Sequence, residues 1–201
     1  MLPQNVLSTD PVPAQFRYPR NVPRAALIDY EYGGVALNDA SRGLRYQVWK
    51  CEYLDEQVIL SAPEVPAFTL LTVPNITELA FTFDQNMNPF VCYELANGDA
   101  KFYWFDSTIP GFTTTTLPSG SLSPRCALDD NRPLQIPISD IILAYVRAGS
   151  LYFRAQRDRY LVEYELSDLI GGSRLLQIGM NAQLRMQFLM SSTPEQLDSL
   201  A

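Results

Sequence analysis

"VCYELANGDAKFYWFD" occupies residues 91–106, and "LAYVRAGSLYFRAQRD" occupies residues 143–158. Each runs an apolar stretch with one tyrosine into a turn carrying glycine, continues into an aromatic stretch, and ends on aspartate. Short apolar and aromatic runs punctuated by glycine are the pattern of a β-hairpin. The likeness extends upstream. "FDQNMNP" (83–89) parallels "LDDNRP" (128–133), which sets Asp84 over Asp129 and Asn86 over Asn131. Across a seven-residue insertion containing "LQIPISD", Tyr93 falls over Tyr145, Gly98 over Gly149, and Tyr103-Trp104 over Tyr152-Phe153.

Each unit therefore reads as strand, Asp/Asn corner, strand, Gly turn, strand, with repeats at about 78–106 and 124–158. Asp and Asn bond their own backbone at a corner and tolerate left-handed φ, and Gly does so without a Cβ penalty. A unit of about 45–50 residues built of meandering strands is the mark of a propeller blade, and closed propellers hold about four to eight blades. The chain offers two clear units and a divergent one at 43–85, too few to close. The expected fold is all-β, with propeller-blade-like meander units completed by oligomerisation. Roughly six blades from three chains of two would satisfy closure, which favours a homo-oligomer, a trimer or a multiple of three. The alternative is a β-sandwich whose hairpins resemble one another by composition.

Outside the repeat, "GLRYQVWKCEYLDEQVILSAP" (43–63) predicts a hairpin turning at Leu54-Asp55-Glu56, and "PEVPAFTLLTVP" (63–74), bracketed by prolines, predicts an isolated strand. Three further runs, 159–166, 173–180 and 182–190, read as strands. The ending "TPEQLDSLA" has capping-box spacing and reads as a short helix or a frayed tail. Residues 1–25 carry Pro3, Pro11, Pro13, Pro19 and Pro23, so they favour an extended arm over a helix or central strand. Phe16 and Tyr18 give that arm side chains to bury against a neighbour. Residues 26–201 are left as the all-β domain.

Composition narrows the function. Apolar residues make up 47% and charged residues 18%, as in a globular chain. A net charge of −7 argues against broad nucleic-acid binding. There is no histidine, which removes the commonest general base and metal ligand together with any Ser-His-Asp or Cys-His arrangement. Cys51, Cys92 and Cys126 are widely spaced, with no zinc-type pair, and read as buried free thiols. No charged leader precedes an apolar core at the N-terminus, and no apolar run approaches the roughly 18 residues that span a bilayer. The expectation is a protein made in a cytoplasm and not placed in a membrane.

No catalytic, metal or cofactor site is expected. "DQNMNPFVCYEL" (84–95) begins like a calcium loop but lacks its central Gly and its closing Glu, so the turn reading prevails, as it does for "DDNRP" (129–133). Asp84, Asp106, Asp129 and Asp158 would be the carboxylates of a glycan hydrolase, yet strand ends are also where turn residues belong. "YFRAQRDRYLVEY" (152–164) interleaves arginine with aromatics, and on one strand face would show Tyr152, Arg154, Gln156 and Asp158. Surfaces of this kind suit recognition. Tyr152, Arg154, Arg157 and Arg159 join Phe16 and Tyr18 as interface candidates, the arginines pairing with carboxylates.

"ALIDYEYGGVALNDASRGLRYQVW", "LAFTFDQNMNPFVCYE" and "SDIILAYVRAGSLYFRAQRDRY" together resemble a group of virion structural proteins of short-tailed bacteriophages, over about residues 26 to 190. The resemblance implies a non-enzymatic tail component made in the host cytoplasm and resident in the virion, at the nozzle, an adaptor or a fibre attachment. It implies other tail proteins as partners and carries over no catalytic residue. A receptor module binding host glycan and a tail-associated glycan hydrolase are the alternatives.

Overall fold

A computed structural model describes residues 32–38, 45–62, 65–84, 86–129, 140–169, 172–180 and 186–191; for 32–38, 45–48 and 180 only the backbone is described. The N-terminal arm with Phe16 and Tyr18, the corner at 130–133 and the C-terminal "TPEQLDSLA" lie outside these residues.

The described chain is all-β, in fourteen strands and one 3-10 turn. The first antiparallel sheet holds β1 (Tyr32–Asn38), β2 (Arg45–Leu54), β3 (Gln57–Ala62) and β4 (Val65–Thr72) in that order. The second holds β5 (Ile76–Phe83), β6 (Pro89–Leu95), β7 (Ala100–Asp106) and β8 (Gly111–Thr116). The third holds β9 (Leu122–Asp129), β10 (Asp140–Arg147), β11 (Ser150–Ala155) and β12 (Tyr164–Asp168), and the fourth is the hairpin β13 (Arg174–Met180) and β14 (Met186–Ser191). Each complete sheet is a meander in which every strand pairs with the one before it.

Local chemistry fixes the turns. Asp55 and Glu56 both take left-handed φ (49° and 62°), as do Ala148 and Gly149 (50° and 85°), so each pair forms a two-residue hairpin loop whose twist matches its strands. The β6–β7 turn is one residue longer. Leu95 and Asp99 close it, and Gly98 stands at φ 86°. Asp84 organises the β5–β6 corner, accepting from the backbone N–H of Asn86 and of Asn88 at 2.8 Å each and from the Asn88 side chain at 2.9 Å.

The sheets pack face to face, and a separate apolar core fills each gap. Cys51, Val58 and Leu60 meet Leu79, Val91 and Tyr93 between the first and second sheets. Phe90, Phe102 and Trp104 meet Ile141, Leu143 and Tyr145 between the second and third. Ala144, Val146 and Leu151 meet Leu175 and Ile178 between the third and the hairpin. This explains why β6 and β10 are buried along nearly their whole length, whereas β7 alternates with period two. Between sheets the chain touches itself chiefly through first strands, β1 on β5, β5 on β9 and β9 on β13. The outermost strand β12 is exposed throughout, and β8 is exposed over most of its length.

The repeat units appear as two successive meanders, and aligned residues take equivalent places: Tyr93 and Tyr145 look toward the preceding sheet, Trp104 and Phe153 toward the following one. Several details differ. The third unit is no fragment at 43–85 but a complete sheet over 32–72, with β5 belonging to its successor. The strand expected to be isolated at 63–74 is β4, hydrogen-bonded to β3. The strand expected at 159–166 begins only at Tyr164, because Arg159 and Tyr160 are left-handed (φ 51° and 59°). The four described sheets do not close into a ring or barrel. They lie against one another as in the sandwich alternative.

Candidate functional site

The β10–β11 hairpin sets Tyr145 opposite Tyr152, and both rings face the second sheet, stacked 6.2 Å apart. Arg154, two residues on, shares that face. Its Nε donates to the Tyr145 hydroxyl at 2.9 Å and its Nη1 to the Tyr160 carbonyl at 2.8 Å. The Tyr145 hydroxyl donates to Glu163, which also receives Arg147 Nη2 at 2.5 Å. The Arg147 guanidinium lies 4.8 Å from the centre of the Tyr152 ring. Burial first, and then the bond to Glu163, push the Tyr145 pKa up, so this hydroxyl stays a donor through the physiological range.

The expected strand face is cut short, since β11 ends at Ala155 and Gln156–Asp158 form a 3-10 turn. That turn reaches the neighbouring sheet. Gln156 Nε2 lies 3.4 Å from Asp84 and Arg159 donates to Asp106 at 2.6 Å, while Arg157 pairs with Asp140 within its own sheet. Behind it Tyr160 fills the gap between the second and third sheets, with ring centres 5.0 Å from Phe102 and Trp104 and 5.3 Å from Phe90.

Of the four acidic candidates, Asp84 and Asp106 are turn residues. Asp106 accepts from the Thr108 N–H (2.9 Å) and hydroxyl (2.7 Å) and from Arg159. Burial works to raise its pKa, but the Thr108 and Arg159 hydrogen bonds outweigh it and hold the carboxyl below the usual range. Asp158 accepts the Tyr164 hydroxyl at 2.9 Å, and Asp129 pairs across the ladder with Asp140. The three cysteines are free and buried, as expected, and burial is the largest cause raising the pKa of Cys51 and of Cys126. Among the described residues no group of three His, Cys, Asp or Glu could hold a metal ion.

Sequence reading missed a buried line of charge along the first strands. Glu78 on β5 pairs with Arg125 on β9 at 2.9 Å and with Arg174 on β13 at 3.3 Å, so one residue from each of three successive sheets joins it. Arg125 also donates to the Leu176 carbonyl at 2.8 Å, and the neighbouring Glu94 accepts from the Ser123 N–H at 2.8 Å. The available signal was slight: a charged residue inside an apolar run, "ITELAF" and "SPRCAL". Its partners lie up to 96 residues away, beyond any periodicity.

A second feature opens between the third sheet and the hairpin. A cleft of about 350 Å³ is lined mainly by Phe153, Tyr164, Leu166, Met186 and Phe188, with Asp129, Arg157 and Asp158 also on its wall. The gap between the second and third sheets has Tyr160 as a plug; the gap at the hairpin has this cleft. The cleft adjoins β14, and elsewhere the apolar tips Ile109 and Leu161 are 72% and 75% exposed. No family model, no curated protein and no solved structure matches the chain.

Proposed function

We propose that this protein is a non-enzymatic structural component of a short-tailed bacteriophage tail, acting by self-assembly and by bridging other tail proteins. One observation carries the reading: among the described residues a regular stack of sheets, each burying the face of the last, ends in a two-stranded hairpin with an apolar cleft beside it. A repeat array needs its terminal faces covered, by a cap or by a neighbour. The charged and acidic groups that could have suggested chemistry are engaged within the chain, at corners and between sheets. The aromatic face that a glycan-binding module would use is likewise turned inward, with Tyr152 against Tyr145 and Arg154 on Tyr145 and Tyr160.

Assembly is by head-to-tail stacking, the hairpin of one copy against the first sheet of the next. The described residues of one chain hold three four-stranded sheets and a hairpin, which sets twofold assembly beside the threefold one that two repeats suggest. If the hairpin is completed, two copies supply about eight sheets, within the range of closed propellers. The tail assignment is tested by peptide mass spectrometry of purified particles after tails and capsids are separated. The chain should fractionate with tails. Its absence from particles, while abundant in the infected cell, would overturn the assignment.

A further inference from the structure

Two of the three cysteines meet across a gap between sheets. Cys92 on β6 and Cys126 on β9 belong to one core, the one between the second and third sheets. Side chains alternate along a strand, so Cys92 shares its face with Phe90, while Val91 and Tyr93 turn to the first sheet. Cys126 faces back from the third sheet, and β9 lies directly against β5 and β6. Small neighbours permit the approach: Cys92 stands opposite Ala80 on β5, and Ala100 lies in the same core. The two thiols are within hydrogen-bonding distance. Burial first, and then this bond, raise the Cys126 pKa. Cys51 lies on the other side of the second sheet, in the core shared with the first.

We propose that Cys92 and Cys126 are a latent disulfide site that staples the second sheet to the third, with hydrogen peroxide as the oxidant. A lone buried thiol is commonly no more than a small apolar side chain. A pair facing across a gap differs, because a disulfide needs Cα atoms about 4.4–6.8 Å apart, and thiols in contact across alanine-lined strands start near that geometry. Cys51 has no such partner, since the second sheet stands between it and the pair. In the first step one thiolate attacks a peroxide oxygen, the O–O bond breaks, and a sulfenic acid and a water form after proton uptake. The second thiol gives up its proton and attacks that sulfur, the S–O bond breaks, and a second water leaves. The pair loses two electrons and two protons, and the peroxide becomes two waters. Burial keeps the thiolate fraction low, so the step is slow and the pair stays reduced in reducing surroundings. None of this rests on the tail assignment, although a chain carried in a released particle would pass from reducing to oxidising surroundings.

The test exposes the intact purified chain to hydrogen peroxide over time, alkylates the remaining thiols in urea, and maps peptides by mass spectrometry without reductant. Cys51, equally buried, is the internal clock. A peptide linking Cys92 to Cys126, formed while Cys51 still alkylates, supports the proposal. Loss of Cys51 before any such link, or a link that includes Cys51, would overturn it. Three intact thiols after prolonged exposure, in which a urea-unfolded sample has lost its own, would overturn it equally. The link closes the loop 92–126 in the unfolded chain, so it should shift the unfolding equilibrium toward the folded state by about a hundredfold, reversed by dithiothreitol. A linked chain that unfolds more readily than the reduced one would show that the sheets do not accommodate the staple. Cys51→Ala should keep both link and shift, and Cys92→Ala should lose both. Should Cys92→Ala fold poorly, the dithiothreitol comparison reads the same quantity on the native chain.

Discussion

Tyr160 shows how packing overrides a local preference. A bulky residue in the left-handed region costs on the order of 1–2 kcal/mol, and Arg159 beside it is strained in the same sense. The cost is offset by burying one large ring among Phe90, Phe102 and Trp104, worth about 1.5–3 kcal/mol before the ring–ring geometry is added. Tyr160→Ala should therefore destabilise the chain by about 3–5 kcal/mol in denaturant titrations, and Tyr160→Phe by much less. A loss below about 1 kcal/mol for the alanine would show that the gap closes without its plug. Titration adds a second check. Burial is the main cause raising the Tyr160 pKa, so its contribution is whole below the ordinary tyrosine value near 10 and is lost as pH rises through the higher folded value. Asp106 acts in the opposite sense. Its lowered pKa stabilises above the unfolded carboxyl value, near 4, and is lost as pH falls through the folded value. Asp106→Asn should flatten the acid limb of the stability profile and leave the alkaline limb unchanged.

At the scale of elements, the corners hold the meanders in register. Asp84→Ala removes three hydrogen bonds from a buried carboxylate and should cost about 2 kcal/mol by chemical denaturation, with no loss of any catalytic function. Gly98→Ala meets no steric neighbour yet must hold φ at 86°, so about 1–2 kcal/mol of pure backbone strain is expected. An unchanged midpoint in either variant would contradict the assigned turn. These corners were legible because Asp, Asn and Gly act within two or three residues of themselves. The aromatic faces were legible because a strand's period is two. By contrast β1, "YGGVALN", escaped notice because two glycines weaken any strand signal, and β8, "GFTTTT", because one aromatic beside four threonines shows little alternation. The pairing of Glu78 with Arg125 and Arg174 could not be read at all. It depends on three strands meeting across sheet gaps. Glu78→Ala alone should cost about 3–5 kcal/mol, since it takes the carboxylate from a buried ion pair with Arg125, while replacing Glu78 and Arg125 together by apolar residues should cost far less.

For the whole molecule, one step repeats: it lays β5 on β1, β9 on β5 and β13 on β9. The described residues take that step three times, the last onto the hairpin, so the function proposed for the chain lies in what continues the stack. Deleting residues 2–22 should leave the far-UV circular dichroism of the β domain unchanged and weaken both oligomerisation and incorporation into tails. Tails that assemble normally from the truncated chain would exclude the arm as the connector. Native mass spectrometry of the purified intact chain across micromolar concentrations tests the central claim most directly. A discrete oligomer, with two copies the smallest that completes a ring, is the result expected here; a monodisperse monomer at every concentration would contradict it.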